Sequence, residues 1–380
     1  MKDLFDTTRI KNMSLRNRFV RSATWEGMAE EDGGCTRRLI NLMTTLAAGG
    51  VGMIITGHAY VQKIGQAGPW QLGAYDDRFI PGFRQLTESV HDKGGVIVMQ
   101  LAHAGMFADP HLIGELPLAP SDIAEYTANT PREMAPLEIK EVIKAFGAAA
   151  KRAKEAGFDG VQIHSAHGYL LNQFLSPAFN KRKDKYGGTI QNRTRIHIEI
   201  LREMRTRVGV DFPILAKINS QDYLDGGLSV EDALEASLIL QKEGIDAVEL
   251  SGGTGASGKL RPVRKAIVHE EDEAYFKEEA GRFKARLDIP IILVGGIRSF
   301  QVANRIISEE MADYIAMSRP FIREPDLINR WRSGNYEKAR CLSDNKCFIP
   351  IRNGKGVYCV VDKEIKSKRR TKRDESDENR

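Results

Sequence analysis

The chain has 380 residues, 42% apolar and 28% charged, a balance that excludes a mostly disordered or collagen-like protein. Its formal net charge is +5, but six positive charges sit in Lys366–Arg373, so the remainder stands at −1 and offers no basic body for nucleic acid. No apolar run approaches the ~20 residues of a membrane-spanning helix, Met1–Asp6 lack a signal-peptide core, and four cysteines are too few for a disulfide scaffold; the expected compartment is cytoplasmic.

Eight short apolar runs follow in chain order: Arg18–Ser22, Val51–Thr56, Val96–Gln100, Gly160–His164, Pro213–Ile218, Ala247–Ser251, Pro290–Val294 and Asp313–Ser318. Largely apolar and short, they suit strands buried on both faces. Helix-ending glycines precede several of them, at Gly49-Gly50, Gly94-Gly95, Gly157 and Gly244. The intervening stretches read as helices, Ile139–Ala156 and Val230–Lys242 among them. Eight such units predict an α/β fold, a TIM (β/α)8 barrel. The alternative is a doubly wound sheet, which wants a glycine-rich phosphate turn where Ser22-Ala23-Thr24-Trp25 stands.

Residues 1–17 are expected to close the barrel floor or pair as a short hairpin, an N-terminal cap. The connection 103–136 reads as a lid or substrate loop, and 322–361 as a C-terminal helical extension. The barrel then spans 1–340, the extension with its cysteines 341–361, and a charged, disordered tail 362–380. The tail's basic run is either a solvated end or an electrostatic anchor; the acidic residues that follow it favour the first.

Barrel chemistry sits at strand C-termini. There the sequence places Gln100, His164, Lys217, Gly295-Gly296 and Ser318-Arg319. The double glycine and the arginine suit a phosphate, which wants bare N–H groups and a forked cation. His164 and His167, three residues apart with Tyr169 beside them, suit a grip on one oxygen with a phenol to deliver a proton. A metal pair lacks an obvious third ligand, and a purely structural pair is the other alternative.

The run Ile163-His164-Ser165-Ala166-His167-Gly168-Tyr169-Leu170-Leu171-Asn172-Gln173, with Asn180-Lys181-Arg182 and Tyr186-Gly187-Gly188 beyond, resembles the signature of the Old Yellow Enzyme family of FMN-dependent ene-reductases. The resemblance covers about residues 3–340 and extends to the barrel domain of 2,4-dienoyl-CoA reductase. It implies FMN across the barrel mouth, reduced by NADH or NADPH. Gln100 would hold the flavin's pyrimidine edge, and Lys217 would stabilise the anionic reduced ring. Ala23, Thr24 and Gly57, or His58, would line it; Gly295, Gly296, Ser318 and Arg319 would take its phosphate. His164, His167, Tyr169 and Trp25 would form the substrate pocket, the two imidazoles on a carbonyl oxygen and Tyr169 as proton donor.

Three positions depart from the family pattern: Trp25 replaces a Cys or Thr that tunes the flavin, Lys217 replaces a common Arg, and Ser318 a Gly. Larger relatives carry an iron–sulfur cluster on a Cys-x-x-Cys-Asn-x-x-Cys run; here Cys341, Asp344, Cys347 and Cys359 offer three thiols, so no metal is expected. The implied function is reduction of an activated C=C bond in a small enone or enoyl substrate, without nucleic-acid or membrane partners, in a homo-oligomer. An electron-transfer subunit working with a partner protein, an RNA-modifying flavin barrel and a flavin-free barrel lyase are the alternatives.

Overall fold

A computed structural model describes residues 2–365. Eight parallel strands close on themselves: β1 (Phe19–Arg21), β2 (Met53–Ile55), β3 (Ile97–Ala102), β4 (Gly160–Ser165), β5 (Ile214–Asn219), β6 (Ala247–Ser251), β7 (Ile291–Val294) and β8 (Tyr314–Met317). Each pairs with the next, and β8 returns to β1 through Ala316 opposite Val20, so the sheet is the expected TIM barrel and has no open edge to bind a ligand. Every strand residue except Val294 is buried, the reason the sequence shows apolar runs there rather than alternation.

Helices start where a side chain accepts the first free N–H groups. Thr36 caps Arg37–Ala48 and Ser229 caps Val230–Lys242, the latter with Glu231 and Asp232 in its first turn. The helix expected from Ile139 begins earlier, at Pro136: proline is pre-set for the first helical position, and Glu138 reaches back to the Ala135 N–H at 2.8 Å.

The N-terminal cap is an antiparallel hairpin, Thr8–Ile10 against Met13–Leu15. Its Ile10, Met13 and Leu15 pack with Val20, Met53 and Val98 inside the barrel, forming a dry apolar floor. A second, larger core lies between barrel and helices.

The connection 103–136 is pinned. Buried Arg182 donates to Pro120 O at 2.9 Å and Met134 O at 2.8 Å, and Leu118–Ala119 pairs with Arg132–Glu133. None of its residues lines the main cavity, against the reading of it as a substrate loop. The C-terminal extension is helical only in part: Leu327–Arg332, Ile349–Arg352 and residues 360–365 are helical, while 335–345 run without regular structure. Backbone groups there bond to the barrel instead of to one another, as in Ala339 N–H to Arg298 O at 2.9 Å. The helix reaching 365 overlaps the start of the expected tail; the rest of that tail, Lys366–Arg373 included, lies outside the described residues. Among the described residues no helix is long and apolar enough to cross a membrane.

Candidate active site

The C-terminal ends of the strands surround a cavity of about 1000 Å³, counting its open mouth. The most chemically dense wall follows β4. The chain leaves β4 through a left-handed turn, which brings the two imidazoles to one face. His167 has φ of 64°, a conformation a non-glycine residue holds only when its surroundings fix it. Asn219 does so by accepting the His167 N–H at 3.1 Å. The turn brings the rings of His164 and His167 within 5.1 Å, and the Tyr169 ring within 5.0 Å of His164.

Two partners of this wall were not singled out as part of it from the sequence. His58 Nε2 lies 2.9 Å from the Tyr169 hydroxyl, with the two rings stacked at 5.4 Å. Ser251, the last residue of β6, has its Oγ 2.8 Å from His167 Nε2 and so holds the ring in place. Burial, helped by the Lys217 charge, holds His164 and His167 well below the usual imidazole range. Burial also pushes His58 down to about 4 and raises the Tyr169 phenol. At neutral pH the wall is therefore uncharged, with a fully protonated phenol.

Beneath it a polar chain crosses the barrel. Gln100 Nε2 donates to Gln162 Oε1 at 2.7 Å, and Gln162 Nε2 to Glu249 Oε2 at 2.8 Å. Lys217 Nζ meets Glu249 Oε1 at 2.9 Å and Ser22 Oγ at 2.8 Å. The strand register makes this possible, setting Gln100 opposite Gln162 and Lys217 opposite Glu249. Lys217 is 3% exposed and Glu249 0%, so each charge depends on the other.

At the end of the cavity near β7 and β8, Gly296, Ser318 and Arg319 all line the wall, as does Arg298, a residue the sequence reading passed over although it directly follows the Gly295-Gly296-Ile297 turn. Arg319 Nη1 donates to Arg264 O at 2.9 Å and Asn345 Oδ1 at 2.7 Å. Ser318 Oγ bonds to Thr24 Oγ1. Ala23, Thr24 and Trp25 line the β1 side; the Trp25 indole also packs against the cluster of Cys347, Ile351 and Phe348.

Two expected glycines lie off the wall. The Gly57 N–H is spent on Glu26 Oε1 at 2.9 Å, and a side chain there would strike that carboxylate. Gly295 is backed by the rings of Tyr275 and Phe276. In both places the neighbour, His58 or Gly296, faces the cavity instead.

The C-terminal extension supplies Ser343 and Phe348 to the same wall. Cys341, Cys347, Cys359 and Asp344 line a small recess behind Arg319. Burial pushes the Cys347 thiol up to about 12. Among the described residues no group of three or more His, Cys, Asp or Glu is placed to hold a metal ion.

The buried imidazoles set a pH dependence. His58, His103, His164, His167 and His197 are all held below the ordinary 6.5 by burial, His103 and His197 to about 3. Between those values and 6.5 the unfolded chain binds protons that the native chain does not, so stability falls as pH drops through that window, by ~1.4 kcal/mol per group per pH unit at most. Glu26 and Asp222, raised by burial, act with the opposite sign but are two groups against five. Urea midpoints measured from pH 7 to pH 5 should fall steadily; a flat profile would show that these imidazoles protonate within the fold.

Compared with known proteins, residues 3–338 match the NADH:flavin oxidoreductase / NADH oxidase family. The chain is 35% identical to an NADH oxidase of Thermoanaerobacter brockii over 94% of its own length and 58% of that protein's. It is 36% identical to an NADPH dehydrogenase of Bacillus subtilis, over 85% of this chain and 92% of that one. A solved 2-naphthoyl-CoA reductase in complex with 2-naphthoyl-CoA superposes with a TM-score of 0.87 at 27% identity, covering 94% of this chain and 56% of that one. The chain thus spans little more than half the length of some of the relatives it matches.

The chain belongs to the NADH:flavin oxidoreductase / NADH oxidase family, and the resemblance to Old Yellow Enzyme read from its sequence is borne out. FMN comes with that membership. The cavity fits the group. Arg298 and Arg319 are buried guanidiniums with no carboxylate partner among the described residues, a costly state that a phosphate relieves. At Gly296 a side chain would come within 2.8 Å of Tyr275, so only bare backbone leaves room there.

Proposed function

We propose that the chain takes hydride from NADH or NADPH and reduces a C=C bond conjugated to a carbonyl. The observation that carries the reading is the uncharged wall of His164, His167 and Tyr169 in the cavity that also holds Gln100, Lys217 and the two unpaired arginines. FMN, when bound, supplies the hydride carrier between reductant and substrate.

The chain's own residues do the rest. Arg298, Arg319 and the Gly296 backbone would hold the phosphate, and Gln100 and Lys217, in the same cavity, would serve the ring system. His164 and His167, kept neutral by burial, offer N–H donors to the substrate oxygen; donors aimed at an oxygen that gains negative charge stabilise the transition state more than the ground state. Ser251 orients the His167 ring through Nε2. Tyr169 holds its proton at neutral pH and delivers it to the α-carbon, its hydroxyl steadied by His58 at 2.9 Å. Trp25 bounds the substrate on the β1 side. The sealed floor keeps bulk water from below.

Purified protein should be yellow and release FMN on denaturation, identified by mass. Anaerobic NADPH or NADH should bleach it, and 2-cyclohexenone should restore the colour with cyclohexanone formed. Release of FAD or no flavin, or a bleached protein that the enone leaves unchanged, would overturn the reading.

A further inference from the structure

Between β6 and the helix Lys277–Lys284, the loop 252–276 folds over the cavity mouth and carries an open groove of its own. Lys259, Arg261, Arg264 and Lys265 line it, with Glu271 and Asp272 on the far rim. The groove and the cavity share Val263 and Tyr275 in their walls, so the two spaces adjoin. None of the four cations takes part in an ion pair among the described residues. Of the carboxylates, Asp272 is turned back to the N–H groups of Val268 and His269, at 3.2 and 3.0 Å.

The groove is built rather than a chance of loose side chains. The Arg264 guanidinium lies 4.2 Å from the Tyr275 ring centre and 5.3 Å from that of Phe276, and its Nε has no hydrogen-bond partner. The Tyr275 hydroxyl donates to Pro262 O at 2.8 Å and Arg261 Nε to Gly258 O at 2.8 Å, which fixes the shared wall. The body of the chain carries a slight negative charge without Lys366–Arg373, so this excess of cations at the mouth is local.

We propose that the groove is a subsite for the phosphate-bearing tail of a nucleotide whose reactive end enters the cavity at His164 and His167. The inference rests on the function proposed above and names what that function's ligands have in common. Two sources share the chemistry: the nicotinamide dinucleotide reductant, and a coenzyme A thioester of an enoyl acid. Both join a flat or acyl reacting group to a pyrophosphate and an adenosine too polar for the dry cavity, and cations at the mouth attract such a tail in a salt-dependent way.

The test uses the FMN-loaded chain and calorimetric binding of NADP, NAD and free coenzyme A, none of which requires turnover. Lys259→Glu with Lys265→Glu reverses two exposed charges that hold no contact in the fold. Lys140→Glu with Lys144→Glu makes the same change of net charge on the exposed face of the helix Pro136–Glu155. The groove variant should weaken at least one ligand about tenfold or more at low salt, and flatten its salt dependence, while the helix variant leaves both unchanged. Weakening of NADP alone assigns the groove to the reductant, of coenzyme A alone to the thioester, and of both to either tail. Equal effects of the two variants, no effect of the groove variant, or no binding of any of the three by the parent protein overturns the subsite. Bleaching of the parent's flavin by NADPH or NADH, followed in the same preparations, reports on the proposed function separately.

Discussion

His164→Ala and His167→Ala are each expected to slow enone reduction roughly a hundredfold, the cost of ~2–4 kcal/mol for one donor lost from a developing oxyanion. The size follows from burial. Both imidazoles are neutral and packed within 5.1 Å of each other, so the lost donor is not replaced by bulk water. Reduction of the flavin by the nicotinamide develops no oxyanion at this wall, and should be affected far less. Tyr169→Phe should slow only the enone half, because it removes the proton and leaves both imidazoles in place. Stopped-flow absorbance on each half-reaction separates these effects. Should both histidine variants keep parental enone turnover, the pair is a structural feature of the turn after β4.

Glu249→Gln should destabilise the fold by roughly 3–5 kcal/mol, the usual consequence of leaving a buried charge without its partner. Among the described residues Lys217 has no other carboxylate, and at 3% exposure it is poorly hydrated. Glutamine preserves the shape and a contact for Gln162, so the loss reports the charge and not a cavity. The double variant Lys217→Met with Glu249→Gln should recover most of the stability, since no isolated charge remains. Urea unfolding of the three variants closes the cycle. A single variant as stable as the parent would mean that Lys217 sheds its proton or moves to the cavity.

Much of the architecture was legible because barrel strands advertise themselves. Val96–Met99 and Pro290–Val294 are apolar on both faces, and a strand covered on both sides explains such runs recurring at this spacing. The strand-end positions then pointed to Gln100, His164, Lys217, Gly296 and Arg319, all of which the structure brings to one cavity. What escaped has physical reasons. Gly57 or His58 came from the family resemblance and Gly295 from the double glycine's bare N–H groups, yet the Gly57 N–H is spent on Glu26 and Gly295 is backed by Tyr275 and Phe276, so the cavity wall takes the neighbours His58 and Gly296. Gln162 and Glu249 gave a signal that was not used: an amide and a carboxylate inside runs buried on both faces must have partners, and the first place to look is across the ladder. Ser343 and Phe348 gave none. Their place at the cavity follows from how 335–345 lies along the barrel, a tertiary matter with no local pattern.

The hairpin that plugs the barrel makes the molecule a vessel with a single opening. Ile10, Met13 and Leu15 stop any passage from beneath, so whatever reaches His164 arrives by the mouth and leaves by it. Two visitors bound for the same floor cannot pass each other in such a vessel. One must depart before the other enters, and an excess of either holds the door against its successor. Under the function proposed above, alternation then follows from a closed floor that Ile10, Met13 and Leu15 share with the barrel's own Val20, Met53 and Val98.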